Sequence, residues 1–90
     1  MISYEPMWTT LQNKGITKYQ LIYHWGISSN TLRRMSHNEA ISSTTLNELC
    51  LILNCNITDI MKFEITELEL KNIQQRKEQI TTKFQHKKKP

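Results

Sequence analysis

The sequence is poor in cysteine, glycine and proline, with two of each, and it has no long apolar run. Two cysteines are too few for a disulfide-stapled secreted domain. Cys50 and Cys55 lie among apolar residues, and neither they nor the three scattered histidines show zinc-ligand spacing. We therefore expect two buried thiols in a reducing cytosol, with no metal and no cofactor. No segment approaches the ~20 apolar residues that span a bilayer, and no signal peptide opens the chain, so we expect a cytoplasmic protein.

The sequence also lacks catalytic motifs. It has no nucleophile elbow, no metal-ligand pair and no glycine-rich phosphate loop. The run Leu-Cys-Leu-Ile-Leu at 49–53 is typical of a buried helix segment and not of a reactive thiol. We therefore expect no enzymatic activity.

Composition and charge both change near Ile65. Residues 1–65 carry 29 apolar side chains, enough for a compact core, whereas residues 66–90 carry five. Basic and acidic residues cancel up to Ile65, so the whole net charge of +4 lies in the tail. We predict a domain over residues 1–65 and an extension over residues 66–90. The basic excess favours an anionic partner, such as nucleic acid or an acidic membrane surface.

The first two-thirds of the chain predicts short helices. Ser3 begins a first helix that Gly15 ends, and Thr17 with Gln20 forms a capping box that begins a second. Their predicted buried faces are Tyr4, Met7, Trp8 and Leu11 in the first helix, and Leu21, Ile22 and Trp25 in the second. A connection of about three residues around Gly26 leads to a third helix that Ser28 caps. A turn this short forces the two helices to cross steeply, which is helix-turn-helix geometry.

Two more helices follow a polar loop. Ser42 or Ser43 caps the fourth helix, and Asn54 marks its end. Its apolar stripe is Leu46, Leu49, Cys50 and Leu53. Asn56 with Asp59 caps a short fifth helix that bears Ile60 and Met61. Five short helices predict a compact all-α domain.

These segments resemble the lambda-repressor-like helix-turn-helix family, of the Xre or Cro type. The matching runs are TKYQLI at 17–22, WGISSNTLRRM at 25–35, SSTTLNELCLIL at 42–53 and NITDI at 56–60. The resemblance covers about residues 3–63 and implies a five-helix domain that binds DNA. Ile22 stands where the family usually has a small alanine, so the packing of the second helix on the third must adjust. Ser29 replaces a basic residue that the family usually has, which alters the expected DNA sequence.

The third helix is the predicted reading element. Leu32 and Met35 face the core, which leaves the other side free to reach base edges in the major groove. The predicted base contacts are Ser28, Ser29, Asn30, Arg33 and Arg34. Phosphate contacts are expected at the starts of the second and fourth helices and on the loop after the third. These predicted phosphate contacts are Thr17, Lys18, His37, Asn38, Ser43 and Thr44.

The tail predicts a sixth, basic helix from about Glu67 to Phe84, with Thr66 and Glu69 as a capping box. The heptad seam that could form a dimer helix is Leu70, Ile73, Ile80 and Phe84, with Lys77 interrupting it. The alternative is a helix whose end at 68–73 packs on the domain. Lys87, Lys88 and Lys89 then form a disordered basic end.

The sequence as a whole predicts a regulator that binds double-stranded DNA, with no membrane partner. We expect a homodimer that acts as a repressor on a near-palindromic operator with half-sites ~34 Å apart. The alternative is a protein-binding inhibitor or antitoxin of a mobile element, which uses the same scaffold to cover a protein partner. The neutral charge of residues 1–65 favours this alternative, whereas the paired arginines favour DNA.

Overall fold

The computed structural model describes the backbone of residues 1–88 and the side chains of residues 1–81. The elements are β1 (Ile2–Ser3), α1 (Glu5–Lys14), α2 (Lys18–Tyr23), α3 (Ser29–Ser36), α4 (Ser43–Leu53), a 3₁₀ turn (Ile57–Asp59), β2 (Lys62–Phe63) and α5 (Glu67–Lys88). Five short helical segments precede one long C-terminal helix. The predicted all-α class is confirmed.

Most helix boundaries follow the capping residues in the sequence. Gly15 ends α1 at φ 66°, a left-handed conformation that glycine adopts without strain. Thr17 and Gln20 form the predicted capping box at the start of α2. Ser28 caps α3, and Ser42 caps α4. These local hydrogen bonds fix where each helix begins, because they satisfy backbone N–H groups that have no partner within the helix.

The core forms where the apolar faces of the short helices meet. The buried apolar residues are Tyr4, Met7, Leu11, Leu21, Ile27, Leu32, Met35, Leu49, Leu53 and Ile60. Trp8 and Ile22 are half-buried and pack against this cluster. The prediction for Trp25 is wrong: its side chain is 44% exposed. It follows Tyr23, the last residue of α2, so the helical period no longer places it on the buried face.

Two local features differ from the predicted helices. The fifth helix is only a 3₁₀ turn, in which the Asp59 carboxylate accepts a hydrogen bond from the Asn56 N–H at 3.0 Å. A pair of two-residue strands, β1 and β2, runs antiparallel with Ile2 opposite Phe63. No helical or alternating pattern could indicate this pairing, since each strand is too short to show a period. The strand pair joins the start of the chain to the segment just before α5.

The first turn of α5 is bound to the start of the chain through the Glu69 side chain. Thr66 Oγ1 accepts from the Glu69 N–H, as predicted. The Glu69 carboxylate, however, binds the Thr66 hydroxyl and the N-terminal ammonium of Met1, not the backbone N–H of a capping box. Leu68 is 68% exposed and Leu70 is 50% exposed, and Leu70 lines an open groove with Met1 and Phe63. The choice between a dimer helix and a helix that packs on the domain stays a prediction.

The helix also extends beyond its predicted end. Its backbone remains helical to Lys88, because the final turns contain no glycine or proline and lysine and glutamine favour helix. The helix therefore includes Lys87 and Lys88, and disorder of the basic end stays a prediction. The side chains of Phe84, Lys87 and Lys88, and all of Lys89, lie outside the described residues.

Candidate nucleic-acid interface

The turn between α2 and α3 fixes the orientation of the predicted reading helix. Gly26 has φ 72°, and its N–H donates to the Ile22 carbonyl at 3.1 Å. The next N–H, of Ile27, reaches back to the Leu21 carbonyl at 2.9 Å, and the Ile27 side chain is buried. A left-handed residue at the corner therefore reverses the chain while the residue after it anchors in the core.

Core packing turns the other face of α3 outward. Leu32 and Met35 are 4% and 0% exposed, so they hold one side of the helix against the domain. The five residues predicted to contact bases are exposed: Ser28, Ser29, Asn30, Arg33 and Arg34. The structure thus brings all five together at one surface of the helix-turn-helix. Whether they contact bases stays a prediction.

Ser28 has a structural role at this surface. Its Oγ accepts hydrogen bonds from the N–H groups of Asn30 and Thr31, at 3.1 and 3.3 Å. Its hydroxyl proton is still able to donate to a base or a phosphate, because capping uses only the oxygen lone pairs. A cap and a DNA contact can therefore coexist at this residue.

Asn30 and Arg33 form a pair that the sequence analysis treats as separate groups. The Asn30 Oδ1 accepts from Arg33 Nε at 3.2 Å and from Arg33 Nη2 at 2.9 Å. Three-residue spacing on a helix places the two side chains side by side. The amide thus orients the guanidinium, while the donors on Nη1 and on the amide nitrogen stay free for a partner. For Ser29 and Arg34, no side-chain bond is found within the described part of the chain.

The predicted phosphate contacts at the start of α2 are exposed but already engaged. Thr17 Oγ1 accepts from the Gln20 N–H at 3.1 Å. The Lys18 ammonium lies 4.5 Å from the centre of the Trp8 ring, a cation–π distance. This contact links α2 to α1 and limits the positions that the lysine side chain can adopt.

The other residues predicted to contact phosphate differ in whether their side chains already make hydrogen bonds. Ser43 and Thr44 are exposed in the first turn of α4, beside the Ser42 cap. His37 is exposed just after α3. Asn38, at φ 56°, accepts a hydrogen bond on Oδ1 from the Tyr4 N–H at 3.1 Å, so its side chain joins the end of α3 to the start of α1. A contact from Asn38 to phosphate would have to use its amide nitrogen.

Helix α2 and the two residues after it carry an exposed aromatic surface that the sequence patterns did not predict. Tyr19 and Tyr23 are 64% and 69% exposed, with ring centres 4.5 Å apart. His24 continues the surface, 6.5 Å from Tyr19 and 6.0 Å from Trp25. The four-residue spacing of the tyrosines, away from buried Leu21, is the signal that could have revealed it. We refer to Tyr19, Tyr23, His24 and Trp25 as the aromatic surface.

Other kinds of site find little support among the described residues. Within residues 1–81, no three histidine, cysteine, aspartate or glutamate side chains cluster in a way that could hold a metal ion. None of the helices assigned up to residue 88 combines the length and apolarity needed to cross a membrane.

Comparison with known proteins agrees with this geometry. The transcriptional regulator VanUg, in its crystal structure, is 33% identical to this chain with a TM-score of 0.63, over 68% of this chain and 81% of VanUg. Among curated proteins, no sequence matches. The family model for the Cro/C1-type HTH DNA-binding domain matches residues 7–65, which contain most of α1, all of α2 to α4, the 3₁₀ turn and β2. The chain belongs to the Cro/C1-type helix-turn-helix DNA-binding family.

Proposed function

We propose that this protein is a transcriptional regulator that reads a DNA sequence with α3 in the major groove. The observation that carries the proposal is the exposed polar face of α3, in which Asn30 orients the Arg33 guanidinium. A guanidinium held in one direction loses less side-chain entropy when it binds two acceptors of a guanine. Similarity to the transcriptional regulator VanUg supports the regulatory role.

The proposed regulator is a cytoplasmic homodimer that represses transcription by occupying its operator. Two-fold symmetry would then require a near-palindromic operator with half-sites ~34 Å apart. The seam of α5 supports a dimer, because the apolar side chains of Leu70, Ile73 and Ile80 are 50%, 53% and 44% exposed and a second copy would cover them. In this arrangement residues 1–65 read DNA, and residues 66–90 join two copies and add positive charge.

The proposal can be tested by selecting bound sequences from a random DNA pool and measuring affinity by gel shift. Replacing Arg33 and Arg34 together with alanine should lower affinity for the selected sequence about 10- to 100-fold and abolish the preference over random DNA. The matched control replaces Lys71 and Arg76, which removes the same charge from α5. The control should weaken binding to all sequences alike and keep the preference. Unchanged preference in the Arg33/Arg34 variant would contradict the proposal.

The second candidate function is an inhibitor that covers a protein partner, and the aromatic surface favours it. Exposed tyrosine and tryptophan side chains are enriched at protein interfaces, where they supply large apolar contact area. Residues 1–65 have no net charge, so they bring little of the electrostatic affinity that DNA binding uses. A variant with Tyr19 and Tyr23 changed to serine separates the two functions. If α3 is the DNA-binding site, this variant should select the same DNA sequence as the unmodified protein. If the unmodified protein selects no DNA sequence at all, the inhibitor function is favoured.

A further inference from the structure

Helix α4 ends in a Schellman motif that brings the only two cysteines of the sequence together. Asn54 takes the left-handed conformation, at φ 49° and ψ 57°. The Cys55 N–H then donates to the Cys50 carbonyl at 3.1 Å, and the Asn54 N–H donates to the Leu51 carbonyl at 3.3 Å. In a Schellman motif, the residue after the left-handed one donates its N–H to a carbonyl in the last turn of the helix. The side chains of these two residues contact each other, and both are usually apolar. Here both positions are cysteine.

The two thiols lie in a surface groove and not in the closed core. Both cysteines are unbonded and half-buried, and both pack against the rim of the core cluster. They line an open groove of about 410 Å³ between α4 and the 3₁₀ turn. The other lining residues are Ser43, Leu46, Asn47, Asn56 and Ile57. A small reagent can therefore reach the sulfurs without unfolding of the domain.

The surroundings of Cys55 affect how readily its thiol ionises. Burial and then the neighbouring Cys50 thiol raise the pKa of Cys55, and Asp59 raises it further while Lys14 opposes the change. Because the raised pKa lowers the fraction of thiolate at neutral pH, thiol exchange at this site should become faster as pH rises.

We propose that Cys50 and Cys55 form a reversible dithiol site that low-molecular-weight disulfides convert to an intramolecular disulfide. One cysteine thiolate attacks the reagent disulfide, forms a mixed disulfide and releases one reagent thiol. The second cysteine thiolate attacks the protein sulfur of that mixed disulfide and releases the second reagent thiol. The two cysteines are oxidised by two electrons, the reagent disulfide is reduced to two thiols, and the two cysteine protons end on those thiols. This site is distinct from the face of α3 and does not depend on DNA binding.

The direct test treats the reduced full-length protein with excess oxidised glutathione at mildly alkaline pH and follows its mass. The expected product is a monomer lighter by two hydrogen atoms, with one disulfide bond between Cys50 and Cys55. Cys50→Ser and Cys55→Ser should each stop at the mixed disulfide, since the second thiol is missing. Closing a short loop in the unfolded chain should raise Tm by about 5 °C or more in the oxidised protein. Glutathione adducts or linked dimers as the final products of the unmodified protein would overturn the proposal.

A pair of variants at Asn54 tests whether the Schellman motif at the end of α4 is what allows the two cysteines to form a disulfide. Asn54→Gly keeps the left-handed conformation and should keep efficient intramolecular disulfide formation. Asn54→Val opposes that conformation, because a β-branched side chain is strained at positive φ, and should lower the ratio of intramolecular to mixed disulfide about tenfold. Circular dichroism checks that both variants are folded. A ratio in folded Asn54→Val equal to that of Asn54→Gly would show that the Schellman motif does not create the site.

Discussion

The short-helix domain and α5 differ in almost every physical respect. All ten apolar residues of the buried core lie between Tyr4 and Ile60, whereas the described side chains of α5 are all exposed. The charges of residues 1–65 cancel, and the whole net charge of +4 lies beyond them. Burial of apolar area is the main source of folding stability, and positive charge is the main source of non-specific affinity for DNA. Stability and electrostatic attraction therefore come from different parts of this chain.

The first prediction tests the claim that the core alone holds the fold. Leu49 and Leu51 both lie in α4, but Leu49 is 0% exposed and Leu51 is 73% exposed. Leu49→Ala should lower the free energy of unfolding by about 2–5 kcal/mol, because it removes buried apolar atoms and leaves a cavity. Leu51→Ala should change it by less than about 0.5 kcal/mol. Urea unfolding followed by circular dichroism measures both changes in the free energy of unfolding. Equal losses of stability in the two variants would contradict the distinction between the buried and exposed faces of α4.

The second prediction concerns the positive charge of α5. Removing residues 66–90 should weaken DNA binding about tenfold at moderate salt and reduce the dependence of affinity on salt, because fewer phosphates are neutralised. Binding by fluorescence anisotropy over a salt series measures both quantities. Thermal unfolding of the shortened chain provides the control, since the core residues are all retained. Unchanged affinity and salt slope in a folded shortened chain would refute an electrostatic role for the tail.

The fold was predictable wherever a local signal decides the structure. Thr17, Ser28 and Ser42 each cap the helix that the sequence indicates, because a short polar side chain can satisfy the free N–H groups two or three residues later. The pairing of Ile2 with Phe63 was not predictable, since it joins segments 61 positions apart and each strand has two residues. The exposure of Trp25 was also missed, because a helical period was extended past the last residue of α2.

The candidate site was predictable in its location but not in its internal contacts. Burial of Leu32 and Met35 follows from helical period, and it determines which face of α3 is exposed. Composition cannot show that Asn30 binds the Arg33 guanidinium, since several side-chain conformations are compatible with the same spacing. The helix-turn-helix motif does not indicate the hydrogen bond between Asn38 and Tyr4 either, because that bond depends on how the start of α1 packs against the end of α3.

The third prediction separates stability from recognition within α3. Ser28 Oγ accepts two backbone hydrogen bonds, so Ser28→Ala should lower the free energy of unfolding by about 1 kcal/mol. Ser29 is exposed and follows the cap, so Ser29→Ala should leave stability nearly unchanged and alter only the preferred DNA sequence. Thermal unfolding and selection of bound DNA measure the two effects. An equal stability loss at both positions would contradict the capping role of Ser28.

The smallest predicted effect is at the attachment of α5. Hydrogen bonds from the N-terminal ammonium and then from Thr66 lower the pKa of Glu69 below its ordinary value. Because the pKa is lowered in the folded state, this contact stabilises the first turn of α5 above the ordinary glutamate pKa and is lost as pH falls through the lowered one. The carboxylate is exposed, so the core should remain folded across this range.

Nuclear magnetic resonance can follow this loss through the amide signals of Thr66 and Glu69 as pH falls. Their shift should have its midpoint below the ordinary glutamate value, and Glu69→Gln should remove the transition because the amide side chain does not titrate. The amide signal of Leu49 should not move with them, since Leu49 is fully buried in the core and the Glu69 carboxylate binds Thr66 and Met1 at the surface. A midpoint at or above the ordinary value would mean that this ion pair does not hold the first turn of α5 to the start of the chain.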